Sequence, residues 1–330
     1  MPTRRTFTLA LSALLAPPTL LPSPTVRAQG APYPSRPIRV IVGFAPGGST
    51  DLAIRTIAPR LSELLGQPVV VDNRPGAGGN IATEMAVRAP PDGYTLLLST
   101  IGPMAVNPVI YPNLGFDPAR DLTPVGRVVE AFNILVTAAA SPWRTVGDLI
   151  TEARRRPGLL NWGYSGVGTS GHLAAALLDS LAGLQTVGVP YRGGGPLMAD
   201  LLAGRLHYAF ATAPTALPHV EAGRLRALAV PTAERSRLLP EVPTITEAGV
   251  PGYDVANSYG MMAPRSTPPA VIERVNAALR AALATPDVAA ALGTMGLEAQ
   301  PSSPEEFGAF LRAEAARWEP VVRTSGVTPD

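Results

Sequence analysis

The sequence predicts an α/β fold of two lobes, with mostly parallel sheets, helices on both faces of the sheets, and a cleft between the lobes. Strand and helix signals alternate from residue 38 onward, which indicates parallel strands joined by right-handed crossovers. The block 126–231 repeats this alternation, and the segments 31–125 and 232–330 flank it and are predicted to form the other lobe. Two connections between two such units indicate a hinge with a cleft.

Residues 1–28 have the pattern of an export signal. Arg4 and Arg5 precede an apolar run that ends near Leu15, and Val26-Arg27-Ala28 is a small-residue cleavage pattern. Residues 3–7 fit a twin-arginine signal, but an ordinary secretory signal explains them equally well. Either route predicts cleavage near Ala28 and a periplasmic protein.

Composition excludes several classes of function. Removing residues 1–28 takes three of the 27 basic residues and leaves 24 against 25 acidic ones, a formal charge of −1. All basic residues are scattered arginines, so no basic patch predicts a nucleic-acid partner. The chain has no cysteine, which excludes thiolate chemistry and disulfides. It has three histidines, which leave little room for histidine-based catalysis. We expect no metal, no cofactor and a monomeric protein.

The remaining elements follow from hydrophobic periodicity and from glycine and proline positions. Strands are predicted at 38–42, 68–71, 94–98, 123–129, 133–136, 160–164, 187–191, 207–211, 225–230 and 257–263. Helices are predicted after Ser49 and at about 80–88, 145–156, 170–181, 196–203, 217–222, 269–283 and 304–318. Pro59 lies within the first helix and is expected to kink or split it.

Three glycine-containing turns connect a predicted strand to a predicted helix, at 45–51, 165–172 and 191–196. Ligands of parallel α/β sheets bind outside the carboxyl ends of the strands, and helix N-termini there present free N–H groups to anions. The hydroxyl groups at these turns add donors: Ser49, Thr50, Ser165, Thr169 and Ser170. Two such turns, one in each lobe, could bind a carboxylate without an arginine.

Asp51 is the charged residue at the first of these turns. As a residue of the first helical turn it is favourable through the helix dipole and through capping alone. A functional alternative is that its carboxylate orients an ammonium, a hydroxyl or a water of the ligand. The residues alone leave both interpretations open.

Two enzymatic interpretations are weaker. The segment from Gly166 to Gly171 fits G-x-G-x-x-G, but the next predicted strand does not end in the acidic residue that a dinucleotide site requires. Neither Ser165 nor Ser170 lies in a complete G-x-S-x-G motif, and His172 follows Ser170 too closely to face it as a base. An exported serine hydrolase using either serine remains the alternative to a binding protein.

Further motifs cover nearly all of the mature chain in a fixed order. They include Phe44-Ala-Pro-Gly-Gly-Ser-Thr-Asp51, Asn73-Arg-Pro-Gly-Ala-Gly-Gly79, Gly168-Thr-Ser-Gly-His-Leu173 and Val189-Pro-Tyr-Arg-Gly-Gly-Gly-Pro196. With these motifs the chain resembles the Bug-type extracytoplasmic solute-binding proteins of the tripartite tricarboxylate transporter family. The resemblance implies a type II periplasmic binding protein of the Venus flytrap kind, which is not an enzyme. It also implies a small organic acid as ligand and membrane permease subunits as partners, for uptake or for sensing.

In that family, the loop after the first strand and a glycine loop of the second lobe hold a carboxylate through N–H groups, hydroxyls and waters. On the first lobe, the resemblance implies ligand contacts from Phe44, Gly47, Gly48, Ser49, Thr50 and Asp51. On the second lobe, it implies contacts from Ser165, Gly168, Thr169, Ser170, His172, Tyr191 and Gly193. Thr100, just past the third strand, is added from its position alone.

Two positions depart from the family pattern. Many relatives have a glutamate where this chain has Ala176, and many have an acidic residue after the phenylalanine that corresponds to Phe210, where this chain has Ala211 and Thr212. We expect both changes to remove polar groups near the cleft. The predicted ligand is therefore less polar at its far end than aspartate or glutamate, for example an aliphatic or aromatic acid.

Overall fold

The structure is a computed structural model that describes residues 33–111 and 113–324. The predicted export signal lies outside the described residues. In chain order the strands are β1 (Ile38–Val42), β2 (Val69–Asn73), β3 (Thr95–Thr100), β4 (Leu122–Ala131), β5 (Asn133–Ala138), β6 (Asn161–Tyr164), β7 (Val187–Pro190), β8 (Tyr208–Thr212), β9 (Leu225–Ala229), β10 (Asn257–Pro264) and β11 (Leu297–Ala299).

The helices are α1 (Ser49–Leu65), α2 (Asn80–Val87), α3 (Asn107–Ile110), α4 (Pro118–Asp121), α5 (Val146–Arg155), α6 (Ser170–Ala182), α7 (Gly194–Leu202), α8 (Ala213–Glu221), α9 (Pro269–Leu283), α10 (Pro286–Thr294) and α11 (Pro304–Thr324). A 3₁₀ turn at Ala77–Gly79 precedes α2, and a π-helical turn at Gly102–Val106 precedes α3. None of the helices in the described part of the chain is both long and apolar enough to cross a membrane.

Two sheets define two lobes, as predicted. The first has the strand order β11-β4-β10-β3-β1-β2, and the second has the order β7-β6-β8-β5-β9. The expectation of mostly parallel sheets needs correction, because each sheet is mixed. β1 to β3 pair in parallel, as do β6 to β8, whereas β4, β5 and β10 pair antiparallel to their neighbours. The reversal occurs in the strands through which the chain enters or leaves a lobe.

Alternating side chains give each sheet two apolar faces. In the first sheet, Val40 and Val42 pack with α1 and α9, whereas Ile41 faces α2 and the start of α11. In the second, Leu135 and Val136 likewise belong to different clusters on opposite faces. Burial on both faces holds the carboxyl ends of β1 and β6 in place, and the loops that follow them form the candidate site.

The chain passes between the lobes at places that differ from the predicted boundaries. Residue 126 lies inside β4, which stays paired with β10 as far as Ala131, so the first crossing is at Phe132. The return occurs after 231, because Ile245, Val250 and Val255 still pack in the core of the second lobe. We therefore propose crossings at about 132 and 256.

Other differences come from proline and from short elements. Pro59 does not split α1, because the helix continues through it from Ser49 to Leu65. The proline-rich segment after Thr100, where no helix or strand was predicted, forms the π-helical turn and α3. Packing compensates for the poor local propensity there, since Val106 and Ile110 are buried in the core of the second lobe.

Candidate ligand-binding site

Four helices begin at one small cavity between the lobes. The cavity is lined by Ser49 at the start of α1, Ser170 at the start of α6, Gly194 at the start of α7, and Thr212 directly before α8. None of these four helices has a side chain that hydrogen-bonds to its first-turn N–H groups. The positive ends of four helix dipoles therefore point toward the same space, and first-turn N–H groups of α1 and α6 are available as donors, an arrangement that attracts an anion. In α8 the N–H group of Ala213 already donates to the carbonyl oxygen of Phe132, and Pro214 has no N–H group.

Among the residues that the structure describes, no charged side chain lines this cavity. The cavity has a volume of about 40 Å³, which is enough for a few water molecules or a small acid group. Its polar lining consists of hydroxyl groups and one amide: Ser49, Thr50, Thr100, Ser165, Thr169, Ser170, Thr212, Thr215, Asn257 and Tyr259. Its apolar lining is Phe44, Leu197, Phe210 and Ala211. A charged ligand here must be neutralised by hydrogen bonds and helix dipoles.

The loop of the first jaw (residues 43–51) is organised by Asp51. Its buried carboxylate accepts hydrogen bonds at 2.9 Å from the N–H group of Gly47, from Nε of Arg55 and from Nδ2 of Asn73. Burial alone would raise the pKa of Asp51, but these hydrogen bonds outweigh burial and hold the pKa below its usual value. Asp51 does not line the cavity, so the geometry favours its structural interpretation.

The loop of the second jaw (residues 165–172) has the same organisation with a neutral group. Nδ1 of His172 accepts a hydrogen bond of 3.1 Å from the N–H group of Gly168. The imidazole stacks on Tyr164 with ring centroids 4.3 Å apart. Burial lowers the pKa of His172 to about 4, so the ring is neutral at neutral pH. In both jaws, the third residue of the helix accepts from the N–H group four residues earlier.

This geometry offers no support for the hydrolase alternative. His172 is stacked behind the loop, and its Nδ1 already accepts a hydrogen bond from the backbone. The hydroxyl of Ser170 accepts a hydrogen bond of 3.0 Å from Nδ2 of Asn133. No base is therefore directed at Ser170, and Ser165 has no hydrogen bond to a histidine among the described contacts.

Glycines let each jaw approach the opposite lobe closely. A Cβ atom on Gly102 would lie 2.5 Å from the carbonyl oxygen of Gly168, and one on Gly166 would lie 2.9 Å from Cα of Gly78. A Cβ atom on Gly193 would meet the Cβ of Ala45 at 3.1 Å. The first two separations leave no room for a side chain, so the lobes are closed over the cavity.

The structure places the predicted ligand residues at two depths. Eight of them line the inner cavity: Phe44, Gly48, Ser49, Thr50, Thr100, Ser165, Thr169 and Ser170. Gly47, Asp51, Gly168 and His172 instead shape the two loops from behind, and Gly193 packs against Ala45. Tyr191 lines a separate outer cleft of about 540 Å³ and donates its hydroxyl hydrogen to Asp200 at 2.7 Å.

Several residues that line the inner cavity were not predicted from the sequence as ligand residues. Thr212 ends β8 and is followed by Ala213 and Pro214, and a proline at the start of a helix marks a fourth strand-to-helix turn. That signal was available, although the helix was predicted to begin only at residue 217. Asn257 and Tyr259 reach the cavity because β10 inserts between β3 and β4, and no local pattern predicts this pairing.

The buried imidazole predicts a specific loss of stability in acid. The pKa of His172 is about 4 in the folded protein and about 6.5 in the unfolded chain, so the unfolded chain binds more protons between these values. The free energy of unfolding should therefore fall as the pH decreases from about 6.5 to about 4, by roughly 3 kcal/mol from this residue. Gln at position 172 cannot titrate but can still accept from Gly168.

We expect His172→Gln to be less stable than the wild type near neutral pH. As the pH decreases toward 4, its free energy of unfolding should fall clearly less than that of the wild type. Urea unfolding at a series of pH values measures this slope. His219→Gln, which lies away from both jaws, serves as the matched control and should keep most of the wild-type slope. Equal slopes for the wild type and His172→Gln would show that the imidazole does not titrate as described.

Known proteins are similar to this chain in sequence and in fold. A family model described as "Tripartite tricarboxylate transporter family receptor" matches residues 53–327. Protein BugT of Bordetella pertussis is 37% identical over 295 residues, which cover 89% of this chain and 90% of BugT.

Three solved structures are similar over most of the chain. R. palustris Rpa4515 with adipate is 41% identical with a TM-score of 0.87, and covers 90% of this chain and 100% of its own. The periplasmic binding protein BugD is 31% identical with a TM-score of 0.86 and the same coverage. MatC of Rhodopseudomonas palustris with bound malate is 32% identical with a TM-score of 0.84, covering 88% and 100%. The chain belongs to the tripartite tricarboxylate transporter family of periplasmic solute-binding receptors.

Proposed function

We propose that this protein captures a small organic carboxylate in the inner cavity and delivers it to the membrane subunits of a tripartite tricarboxylate transporter, or reports it to a sensor. The observation that carries the proposal is the convergence of four helix N-termini without side-chain caps on a cavity without charged side chains. Each helix end stabilises a nearby negative charge by roughly 0.3–2 kcal/mol. Relatives of known structure hold adipate and malate, which are both carboxylates.

The ligand residues proposed are those that line the cavity, with the carboxylate between the first turns of α1 and α6. The residues that shape the loops from behind, including Asp51 and His172, would act on the ligand only indirectly. The protein would bind its ligand without transforming it. The site is periplasmic in this proposal, with the export signal removed near Ala28.

The cavity lining from the second lobe favours a ligand without an ammonium group at its far end. Leu197, Phe210 and Ala211 are apolar, and Thr212 and Thr215 offer hydroxyls, 3.1 Å apart. A ligand ammonium group would find no carboxylate there, and an unpaired buried charge is costly. The departure at Ala176 carries no such information, because this residue does not line the cavity.

A panel of acids tests this function. We expect calorimetric titration of the mature protein to show binding of malate or adipate, because their carboxylates accept from the converging N–H groups. Adipamide, which has the length of adipate but no negative charge, should bind at least about 100-fold more weakly. Glutamate should bind at least about tenfold more weakly than the best acid, since its ammonium group lacks a partner. Tight binding of adipamide, or of glutamate alone, would sink the proposal.

Closure of the lobes should depend on Gly102. This glycine has no positive φ, so alanine adds no backbone strain, but the new Cβ would lie 2.5 Å from the carbonyl oxygen of Gly168. We expect Gly102→Ala to hold the jaws apart and to weaken acid binding by at least about tenfold, although it touches no ligand. Gly293→Ala is the control, because nothing lies within 4 Å of the added atom. Titration calorimetry on both variants measures the difference, and wild-type affinity of Gly102→Ala would contradict closure at this contact.

A further inference from the structure

Two buried asparagines stand where the chain passes between the lobes. Asn133 is the first residue of β5, directly after the first crossing. Asn257 is the first residue of β10, directly after the return crossing, and it pairs with Ala131 at the end of β4. Asn133 is fully buried and Asn257 is 3% exposed. Neither residue was predicted to take part in binding.

Each amide is hydrogen-bonded to the serine hydroxyl of one jaw, directly for Asn133 and through Tyr259 for Asn257. Nδ2 of Asn133 donates to Oγ of Ser170 at 3.0 Å, and Ser170 is the first residue of α6. Nδ2 of Asn257 donates to the hydroxyl of Tyr259 at 3.3 Å, which in turn lies 2.6 Å from Oγ of Ser49 at the start of α1. The two jaws are therefore built alike, with one asparagine at the crossing behind each serine.

Both amides also have an end without a partner. Within the described part of the chain, the Oδ1 atoms of Asn133 and Asn257 have no hydrogen bond, and neither is exposed to solvent. A buried carbonyl oxygen without a partner is unfavourable, and such groups in native proteins call for an explanation. Asn257 lines the inner cavity. Its free Oδ1 can only accept a hydrogen bond, so a carboxylate ligand would contact the amide after a turn of about 180°, in which Oδ1 accepts from the hydroxyl of Tyr259 and Nδ2 donates to the ligand.

We propose that both asparagines belong to the binding machinery: Asn257 contacts the ligand directly, and Asn133 is a positioning residue that orients the hydroxyl of Ser170 toward it. The proposal rests on the proposed function: it gives Asn257, one of the lining residues, a specific contact through its amide, and it adds Asn133 to the site. A role in folding alone would explain the hydrogen bonds to Tyr259 and Ser170. It would not explain why the second end of each amide is left without a partner.

The first experiment places a titratable group at position 257. Asn257→Asp keeps the shape of the side chain, but its carboxylate would face the bound acid at neutral pH. We expect affinity for adipate or malate, whichever the wild type binds more tightly, to fall by at least about tenfold near pH 8. Burial raises the pKa of such a carboxyl group, so much of the loss should be recovered near pH 5.5.

Asn161→Asp is the matched control, because Asn161 lies on β6 and pairs with His207 outside the cavity. It should bind like the wild type at both pH values. Wild-type affinity of Asn257→Asp at both pH values would overturn the direct contact, and so would a loss of affinity that does not change with pH.

The second experiment is a double-mutant cycle on Asn133 and Ser170. If Asn133 acts through the hydroxyl of Ser170, then Asn133→Ala, Ser170→Ala and the double variant should lose similar amounts of affinity. Additive losses would overturn the positioning role. Thermal unfolding first checks that each variant is folded, and Asn133→Ser replaces Asn133→Ala in the cycle if the alanine variant is not.

The outcomes separate this inference from the proposed function. A wild-type protein that binds neither adipate nor malate nor any other acid of the panel contradicts both. A wild-type protein that binds an acid, together with variants that fail the two tests above, contradicts only the role of the asparagines.

Discussion

Four helices direct their N-termini at one small cavity, and the rest of the structure depends on keeping those ends free and close together. An N–H group that is capped by a side chain cannot bind a ligand, and Gly48 and Gly193 precede their helices without any side chain. Thr169 and Thr212 precede the other two and do not cap them. The cost of leaving first-turn N–H groups of α1 and α6 unpaired is offset when an anion enters.

The two jaws reach this arrangement by the same construction from different residues. In each jaw a strand ends, a glycine loop follows, and a helix begins with a serine. The third residue of that helix accepts a hydrogen bond from an N–H group of the loop. In the first jaw that residue is Asp51, held ionised by Arg55 and Asn73, and in the second it is His172, held neutral by burial. An ionised carboxylate and a neutral imidazole can both accept from a backbone N–H group, so either satisfies the loop.

Local patterns in the sequence were enough to predict the two-lobed α/β fold, both jaws and the five jaw hydroxyls that line the cavity, whereas Phe44 and Gly48 were added by the family resemblance and Thr100 by its position. These features depend on strand periodicity, glycine turns and helix starts, all of which are local. The sequence did not reveal Asn133, Asn257 or Tyr259, because they reach the site through antiparallel pairing between distant strands. It also could not separate residues that line the cavity from those behind it. Asp51 and His172 follow Ser49 and Ser170 by two positions, and only the structure shows that their side chains contact the loops and do not line the cavity.

A crystal structure of the mature protein with adipate or malate is the most direct test of the central claim. The account predicts carboxylate oxygens within hydrogen-bond distance of first-turn N–H groups of α1 and α6, with no arginine side chain in contact. A carboxylate bound instead in the outer cleft beside Arg192, with the inner cavity left to water, would contradict it.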